Sequence, residues 1–257
     1  DDAVSSIGKL DKNTPVSVTL YDLIPLLNPD QYLTAHPSYE RHYLRKIHYL
    51  KEASLLFAIS DFSRQEGINS LCIAEEKVIN VSTAIESHFR CIDVSNDFAN
   101  SIREKFGLSR PFLLCAGATD ERKNILRLLE AFAALPSTLR REFQLVLAGG
   151  MPSEHVEKFQ SASRGLGLRA DDVVFTNFID DFDLLQLYNL CYLYVFPSWH
   201  EGFGLPALEA MACGAPVVGF DTGAVKELVS DDAGVIVPYG SDPWKLDYPD
   251  ADSLIDA

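Results

Sequence analysis

The sequence has few cysteines, few basic residues and no long apolar run. Each of these shortages argues against certain kinds of site or certain classes of protein. The five cysteines have no close pair in the sequence, a pattern typical of reduced, buried thiols in a cytoplasmic protein rather than of disulfides or a zinc site. Lys and Arg total 22 against 37 Asp and Glu, a net charge of −15. Such a charge opposes binding to nucleic acid or anionic lipid headgroups, so any bound phosphate needs a local basic cluster. No stretch reaches the ~20 apolar residues of a membrane-spanning helix.

From about residue 108, short apolar runs alternate with helical periodicity. Buried strands are predicted at residues 111–118, 142–150, 173–175, 193–198 and 215–220. The helix after the first of them has apolar residues at three-residue intervals, namely Leu126, Leu129, Phe132 and Leu135. Strands that are apolar on both faces and alternate with helices indicate a doubly wound α/β domain with a parallel sheet. Such sheets bind ligands at the carboxyl ends of their strands.

The segment before residue 108 predicts a smaller α/β piece. Its predicted elements are a strand that runs into a loop at 16–27, a basic helix at 38–53, and strands at 54–60 and 77–82. These strands are too few to close a doubly wound sheet, so residues 1–88 are predicted to be the second half of a Rossmann-like domain. Residues 89–107 carry no strand pattern and are predicted to be the linker. Residues 108–257 are predicted to form the second domain. We expect it to be incomplete, because a helical pattern begins just where the sequence ends.

The strongest functional motif is HEGFGLPALEAMACGAPVV at residues 200–218. It follows a predicted strand, passes through a glycine-rich turn and enters a helix at about Pro206, a favoured position for proline. The amides of Phe203, Gly204 and Leu205 then lie at a helix N-terminus, which suits an anion or sugar hydroxyls. Glu201 and Glu209 can face one crevice, and a carboxylate can accept two hydrogen bonds from the vicinal hydroxyls of a ribose.

The second motif is GATDERKNILRLLEAF at residues 117–132. A strand ends at Gly117, and Arg122 and Lys123 come next to the start of a helix. Two cations at a helix N-terminus are unfavourable for the helix itself. We therefore expect a bound diphosphate there, with both cationic side chains exposed.

With these two motifs, the chain resembles the retaining glycosyltransferases of family 4 (the "group 1" glycosyltransferases), whose GT-B fold has two Rossmann-like domains. The resemblance covers almost the whole chain. It also includes TLYDLIPLLNP, the AISDFSRQE segment after the strand at 54–60, and DLLQLYNLCYLYVFPS. The TLYDLIP variant is most similar to a subgroup of bacterial polysaccharide and lipopolysaccharide assembly, which often uses GDP-mannose or a related donor.

The resemblance implies a role for each matching residue. The implied catalytic residues are Arg122 and Lys123, which would neutralise the donor's phosphates, and Glu201, which would orient the transferred sugar. The implied donor-binding residues are Gly117, Asn177, Phe178, Ile179, Phe203, Gly204, Leu205 and Glu209, with the base near 177–179 and the ribose on Glu209. Tyr21 and Asp22 would face the sugar or the acceptor. Many relatives have histidine in place of Tyr21, which leaves that contact open.

The mechanism that the resemblance implies needs no cofactor and no metal ion. Negative charge grows on the diphosphate as it leaves, and with no DxD-type motif in a suitable place the cations and main-chain amides must compensate it. A hypothesis for retention is transfer on one face of the sugar, with the diphosphate helping to deprotonate the acceptor. The implied partners are a nucleotide-sugar and a saccharide or lipid-linked acceptor, with any membrane contact through an N-terminal half outside this chain.

Other interpretations remain at this point. The chain could be a nucleotide-sugar-binding module without turnover, or, less favoured, a sugar-nucleotide epimerase. The basic stripe on the helix at 39–51 could face an anionic acceptor or a membrane, although a solvated helix face is favoured. His200 is favoured as a packing residue of its loop rather than a catalytic one.

Overall fold

The computed structural model describes residues 13–117, 120–240 and 252–255. Contacts divide the chain into two compact units. The first comprises the chain up to Ala84 together with the three residues Glu201–Phe203, and the second comprises Ile85–His200 and the chain from Gly204 onward.

The first unit is built on a small parallel sheet with the strand order β1-β2-β3. Its strands are β1 (Ser17–Leu20), β2 (Leu55–Ala58) and β3 (Val78–Asn80). Its helices are α1 (Ile24–Leu27), α2 (Pro29–Tyr32), α3 (Pro37–Lys51) and α4 (Asp61–Leu71). The three predicted strands and the basic helix are thereby confirmed. The core is aliphatic, because Leu20, Leu56, Leu71 and Val78 pack together.

The second unit is built on a six-stranded sheet in which every pairing is parallel and the order is β6-β5-β4-β7-β8-β9. The strands are β4 (Phe112–Ala116), β5 (Gln144–Ala148), β6 (Val173–Phe175), β7 (Leu193–Phe196), β8 (Val217–Phe220) and β9 (Gly234–Val237). Numbered within this unit, the order is 3-2-1-4-5-6, that of the Rossmann fold. The predicted α/β class with a doubly wound parallel sheet is confirmed.

Helices follow most strands of this sheet. They are α5 (Asn96–Phe106), α6 (Ile125–Ala134), α7 (Ser137–Glu142), α8 (Ser153–Gly165), α9 (Asp181–Leu190), α10 (Leu205–Ala212), α11 (Val225–Leu228) and α12 (Asp252–Ile255). None of the helices in the described part of the chain is long and apolar enough to cross a membrane.

Alternate residues of the central strands pack into different apolar cores. Leu114 and Val146 lie in a cluster with residues of α9 and α10. Leu145 and Leu147 lie in another cluster with residues of α6 and α8. Because side chains alternate across a strand, two helical layers cover the sheet, which explains why these strands are apolar throughout.

Two details of the second unit differ from the sequence-based expectations. In α6, Leu129 and Phe132 are buried as predicted, but Leu126 is 38% exposed and Leu135 lies beyond the helix end. The buried face is centred on Ile125, Leu128 and Leu129 instead. Strand β9 was not predicted, because periodicity does not distinguish a four-residue apolar run from a helical segment. Ala118, predicted to end a strand, lies outside the described residues, as does most of the C-terminal segment at 240–257.

The segment predicted as a linker, 89–107, contains α5 and contributes Phe89 and Ile102 to a core of the second unit. The expectation of buried cysteines is only partly right. Cys115 and Cys213 are buried, whereas Cys72 and Cys91 are exposed. Cys72 ends α4 in a left-handed conformation with φ 55°, and Cys91 lies outside regular secondary structure.

Candidate functional site

The second unit has a topological switch point between β4 and β7. From β4 the chain winds outward to β5 and β6, then returns to the middle of the sheet and continues through β7, β8 and β9. The connections after β4 and β7 therefore leave neighbouring strands in opposite directions, and a crevice opens at the carboxyl ends. Both motifs found in the sequence follow these two strands.

The loop after β4 carries the two predicted cations. Asp120 accepts a hydrogen bond from the main-chain amide of Arg122 (3.0 Å) and caps a 3-10 turn at Glu121–Lys123. Helix α6 begins only at Ile125, so the cations precede it rather than occupy its first turn. Asp120 Oδ2 lies 3.6 Å from Arg122 Nε, which offsets part of the positive charge at this helix N-terminus.

The expectation that both cations are exposed is wrong. The side chain of Arg122 is 21% exposed, and Lys123 is also only partly accessible. Arg122 donates a hydrogen bond from Nη1 to the carbonyl of His200 (3.3 Å). Lys123 places its ammonium 5.6 Å from the centre of the Phe196 ring, a cation–π contact. The two cations are thus held in place by β7 and by the loop that follows it.

Gly117 directly follows β4 and has φ 107°, a conformation that side-chain-bearing residues rarely adopt. A Cβ at this position would lie 3.8 Å from Lys123 Cε. Gly117 therefore lies directly against the Lys123 side chain. A residue predicted to bind the donor and one predicted to be catalytic are thus neighbours at the carboxyl end of β4.

Side chains from both neighbouring loops hold the loop after β7. Asn124 donates to the Pro197 carbonyl (3.1 Å) and Thr222 to the Ser198 carbonyl (3.0 Å). The main-chain amide of Trp199 donates to the Arg122 carbonyl (3.0 Å). His200 is buried, in keeping with a packing role. These bonds fix the approach to the glycine-rich turn before any ligand binds.

The glycine-rich turn leads directly into α10. Gly204 is the N-cap residue with φ 104°, and Leu205 begins the helix with Pro206 at its second position, as predicted within one residue. The first amides of a helix have no acceptor within the helix. Those of Gly204 and Leu205 therefore offer hydrogen-bond donors at the carboxyl end of β7, beside the Arg122 and Lys123 loop.

Glu209 lies one turn into α10 and is half-buried. The hydroxyl of Tyr188, from α9, donates a hydrogen bond to Glu209 Oε2 (2.9 Å). Burial raises the pKa of Glu209, and the Tyr188 hydrogen bond lowers it in part. Burial also raises the pKa of Tyr188 well above its usual value, so this phenol stays a neutral donor. Tyr188 was not identified from the sequence, because no pattern in the sequence of α9 indicates a contact with a residue 21 positions away.

The loop after β6 contains the residues predicted to meet the base. Asn177 is left-handed with φ 57°, and the Thr176 hydroxyl accepts a hydrogen bond from the Gly149 amide (3.2 Å) at the end of β5. Phe178 is 83% exposed, whereas Ile179 packs against the core. An exposed aromatic ring at this edge of the sheet is an available surface for stacking.

The remaining predicted residues belong to the first unit. Glu201 and Phe203 are buried, and Tyr21 is 66% exposed. Asp22 accepts a hydrogen bond from the Ile24 amide (3.2 Å). Gly202 lies so close to this turn that a Cβ would be 2.7 Å from the Tyr21 carbonyl oxygen and 2.8 Å from Asp22 Cβ. Glycine is required at 202 by lack of space.

Within the described residues, no three side chains of histidine, cysteine or acidic residues come together in a way that could hold a metal ion.

Comparison with known proteins identifies the family. The family model for "Glycosyl transferases group 1" matches residues 98–245. The chain is 38% identical over 219 residues to the "Serotype-specific mannosyltransferase WbdA" of Escherichia coli. That match covers 85% of this chain and 27% of the relative. The chain is also 32% identical over 234 residues to the "O-antigen chain mannosyltransferase B" of Escherichia coli, covering 90% of this chain and 58% of the relative.

Solved structures match this fold as well. The glycosyltransferase WaaG, "involved in lipopolysaccharide biosynthesis", matches with a TM-score of 0.71 at 21% identity, over 95% of this chain and 66% of that one. HepE of Anabaena, solved "in complex with UDP and glucose", matches with a TM-score of 0.73 at 21% identity, over 94% of this chain and 60% of that one. The fold is that of the GT-B enzymes.

The chain spans 27% of the WbdA length and 58% of the mannosyltransferase B length. The family match includes the loop after β4, the loop after β6 and the glycine-rich turn with α10. On this match, the chain belongs to the group 1 glycosyltransferase family.

Proposed function

We propose that this chain forms the donor-binding part of a retaining glycosyltransferase, which transfers a hexose from a nucleotide-diphospho-sugar without a metal ion. The observation that carries the proposal is the position of Arg122 and Lys123. They follow β4 at the switch point of the sheet, beside the N-terminus of α10. Here two side-chain cations and the first amides of a helix lie at the carboxyl ends of neighbouring strands.

The diphosphate is the part of the donor that these groups fit best. Lys123 supplies a compact ammonium, and Arg122 a planar guanidinium whose Nη1 already donates to the His200 carbonyl. A guanidinium carries five N–H donors in a planar fork, a geometry that matches phosphate oxygens. The amides of Gly204 and Leu205 add donors from the α10 side, in the manner of other helix N-termini that bind phosphate.

The nucleoside would then lie along the same edge of the sheet. Glu209 would accept hydrogen bonds from the ribose hydroxyls, with Tyr188 holding its carboxylate in position. The loop at Asn177–Ile179 would contact the base, and the exposed ring of Phe178 offers a stacking surface. From the family resemblance, Tyr21, Asp22 and Glu201 are assigned to the transferred sugar and the acceptor.

In the proposed reaction, the bond between the sugar's anomeric carbon and the diphosphate oxygen breaks, and both electrons remain on the diphosphate. The acceptor hydroxyl oxygen bonds to the same face of the anomeric carbon, which retains its configuration. The hydroxyl proton passes to the departing diphosphate. Arg122, Lys123 and the helix amides stabilise the charge on the leaving group, and one such donor contributes ~3 kcal/mol to the transition state.

We further propose mannose as the sugar, GDP-mannose as the donor and a growing polysaccharide as the acceptor. Mannose and the polysaccharide rest on the names of the two Escherichia coli relatives, a serotype-specific and an O-antigen chain mannosyltransferase. GDP as the nucleotide rests on the resemblance of the TLYDLIP segment to a subgroup that often uses GDP-mannose. A cytoplasmic location is proposed from the five free cysteines, since reducing compartments keep thiols unpaired.

The proposal is tested by donor binding followed by turnover. The melting temperature of the full chain is measured with GDP, UDP, ADP and their sugar conjugates, with and without a chelator. We expect stabilisation by GDP and GDP-mannose that the chelator leaves unchanged. Slow hydrolysis of the sugar conjugate, with the anomeric configuration of the released sugar followed by NMR, then reports turnover and its stereochemistry.

Two results would contradict the proposed chemistry. Stabilisation that depends on a divalent cation would contradict metal independence, and release of the inverted sugar would contradict retention. Binding without any hydrolysis would instead support a nucleotide-sugar-binding module. No stabilisation by any nucleotide would rule out the donor site itself.

A further inference from the structure

Helix α4 of the first unit carries three buried polar side chains along one face. Ser60 caps the helix, and Ser63 and Glu66 follow at three-residue intervals; all three are at most 1% exposed. Residues spaced this way lie above one another on a helix. A buried polar face needs hydrogen-bond partners, because each unsatisfied group costs stability.

The partners lie in two loops of the same unit rather than within α4. Ser60 Oγ donates to the Gly202 carbonyl (2.6 Å) and accepts a hydrogen bond from the Ser63 amide (2.9 Å). Ser63 Oγ lies 2.5 Å from the Tyr21 carbonyl and 3.0 Å from the Gly202 carbonyl. Glu66 Oε2 accepts a hydrogen bond from the Leu23 amide (3.0 Å).

Capping alone does not explain this arrangement. The N-cap bond requires only that Ser60 accept from Ser63, and that bond leaves the Ser60 proton for Gly202. A serine hydroxyl in a helix can bond to a carbonyl of the preceding turn, whereas the hydroxyl of Ser63 reaches the Tyr21 and Gly202 carbonyls, which lie far from it in the sequence. If Ser63 contributed nothing beyond α4 itself, alanine at this position would make the helix more stable.

The two loops meet at a close approach of their main chains. The main chain of Gly202 leaves no room for a Cβ beside Tyr21 and Asp22. The residues next to these anchor points are Glu201 and Asp22. Any rotation of the Gly202 or Leu23 peptides would redirect these two carboxylates.

We infer that Ser60, Ser63 and Glu66 are positioning residues, which hold the Gly202 peptide against the Tyr21–Leu23 turn and so fix the direction of the Glu201 and Asp22 carboxylates. This inference rests on the proposed function for the role of those carboxylates at the sugar. The three side chains touch neither donor nor acceptor in this arrangement. They act through the main chain of the two loops.

The test compares Ser60→Ala and Ser63→Ala with Ser95→Ala in the full chain. Ser95 caps α5, a helix with the same number of residues as α4, by accepting from the Phe98 amide. Ser95→Ala therefore removes an equivalent cap without touching either loop. Ser60→Thr keeps both the cap and the hydroxyl and serves as the conservative rescue.

Amide hydrogen exchange, followed by mass spectrometry, measures how often the loops open locally, and it does not require activity. We expect exchange in peptides covering 20–24 and 200–205 to accelerate roughly fivefold to tenfold in the Ser60→Ala and Ser63→Ala variants, the factor that corresponds to one lost net hydrogen bond. Ser95→Ala should change exchange only around 95–99. Ser60→Thr should restore the parent pattern in both loops.

The activity readout is split between binding and turnover. Nucleotide binding, which depends on the second unit, should stay within about threefold of the parent, while kcat for donor hydrolysis should fall roughly tenfold or more. Unchanged exchange in both loops of the folded Ser63→Ala variant would overturn the inference, as would faster exchange with an unchanged kcat. If Ser63→Ala fails to fold, the pair Ser60→Ala and Ser60→Thr decides. A parent chain that binds no nucleotide would refute the proposed function, and the exchange data would still decide whether α4 positions the loops.

Discussion

The hydroxyl of Tyr188 in α9 donates a 2.9 Å hydrogen bond to Oε2 of Glu209 in α10. The bond stabilises the carboxylate against the burial that raises its pKa. The two effects together set the pH at which Glu209 gains a proton. If Glu209 binds the ribose hydroxyls as a carboxylate, the same pH sets the acidic limit of nucleotide binding.

Tyr188→Phe should therefore shift the pH dependence of nucleotide affinity. Without the phenol donor, the pKa of Glu209 rises further, so the loss of affinity on acidification should begin at a higher pH than in the parent. The measurement is the dissociation constant of the nucleoside diphosphate from about pH 5 to pH 8. A 2′,3′-dideoxy nucleotide should show little of the shift, because it lacks the hydroxyls that Glu209 accepts from. Equal shifts for both nucleotides would remove Glu209 from the ribose site.

Glu209→Gln should separate binding from stability. Because the folded pKa lies above the ordinary value, the folded chain binds more protons than the unfolded chain between the two, and stability falls as the pH rises through that window. Above it, the full cost of burying the charge is present. Glutamine removes this cost and still accepts from Tyr188, so the variant should melt at or above the parent temperature at pH 7.5. Its affinity for the ribonucleotide should fall roughly tenfold, the worth of a charge-assisted hydrogen bond.

Lys123→Ala and Arg122→Ala should differ in their effect on the melting temperature, although both should lower kcat. Lys123→Ala should lower kcat for donor hydrolysis roughly 100-fold, with a small change in melting temperature, because the lost cation–π contact is worth only about 1 kcal/mol. Arg122→Ala also loses the hydrogen bond to the His200 carbonyl, so both kcat and melting temperature should fall. The matched controls are Lys77→Ala and Arg103→Ala, which remove exposed cations elsewhere. Parent-like diphosphate binding in both test variants would refute the phosphate assignment.

Five of the six strands of the large sheet could be predicted, because the sequence signal of each strand is local. Residues such as Leu114 and Val146 stand in runs that are apolar on both faces, and both site motifs follow such runs directly. Glycine, proline and charge at fixed offsets then predicted the turn into α10. All of this information lies within about 20 residues of sequence.

Contacts between distant segments could not be predicted in the same way. Tyr188 and Glu209 are 21 residues apart, and Glu66 bonds to an amide 43 residues earlier. On its own helix, Glu66 reads as a solvated charge, because only tertiary packing shows that its side is covered. The partial burial of Arg122 was missed for the same reason, since its acceptor at His200 is 78 residues away.

Gly202→Ala should test the close approach in the first unit. The added Cβ would meet the Tyr21 carbonyl oxygen at 2.7 Å, a backbone atom that cannot rotate away. We expect a loss of about 1–3 kcal/mol in the free energy of unfolding, as for other overpacked sites, together with slower turnover. Gly165→Ala is the matched control, because nothing lies within 4 Å of its Cβ position. If both variants unfold like the parent in urea, the two loops are not in contact in solution.

Asp172→Asn should destabilise the second unit without affecting the donor site. Asp172 lies just before β6, at the opposite edge of the sheet, and its side chain is only 4% exposed. Its carboxylate accepts from Arg110 Nη2 (3.1 Å) and Arg169 Nη2 (2.8 Å).

Burial raises the pKa of Asp172, but the hydrogen bonds from Arg169 and Arg110 outweigh burial and leave the pKa lowered. For an acid whose folded pKa is lowered, the stabilisation is complete above the unfolded pKa and is lost as the pH falls through the folded one. The parent should therefore lose stability on acidification below about pH 4, whereas Asp172→Asn should start about 3 kcal/mol lower at pH 7 and show a weaker dependence on pH. Urea unfolding across that range measures both, and nucleotide affinity at pH 7 should match the parent, because any change there would mean that this edge of the sheet is coupled to the Arg122 and Lys123 loop.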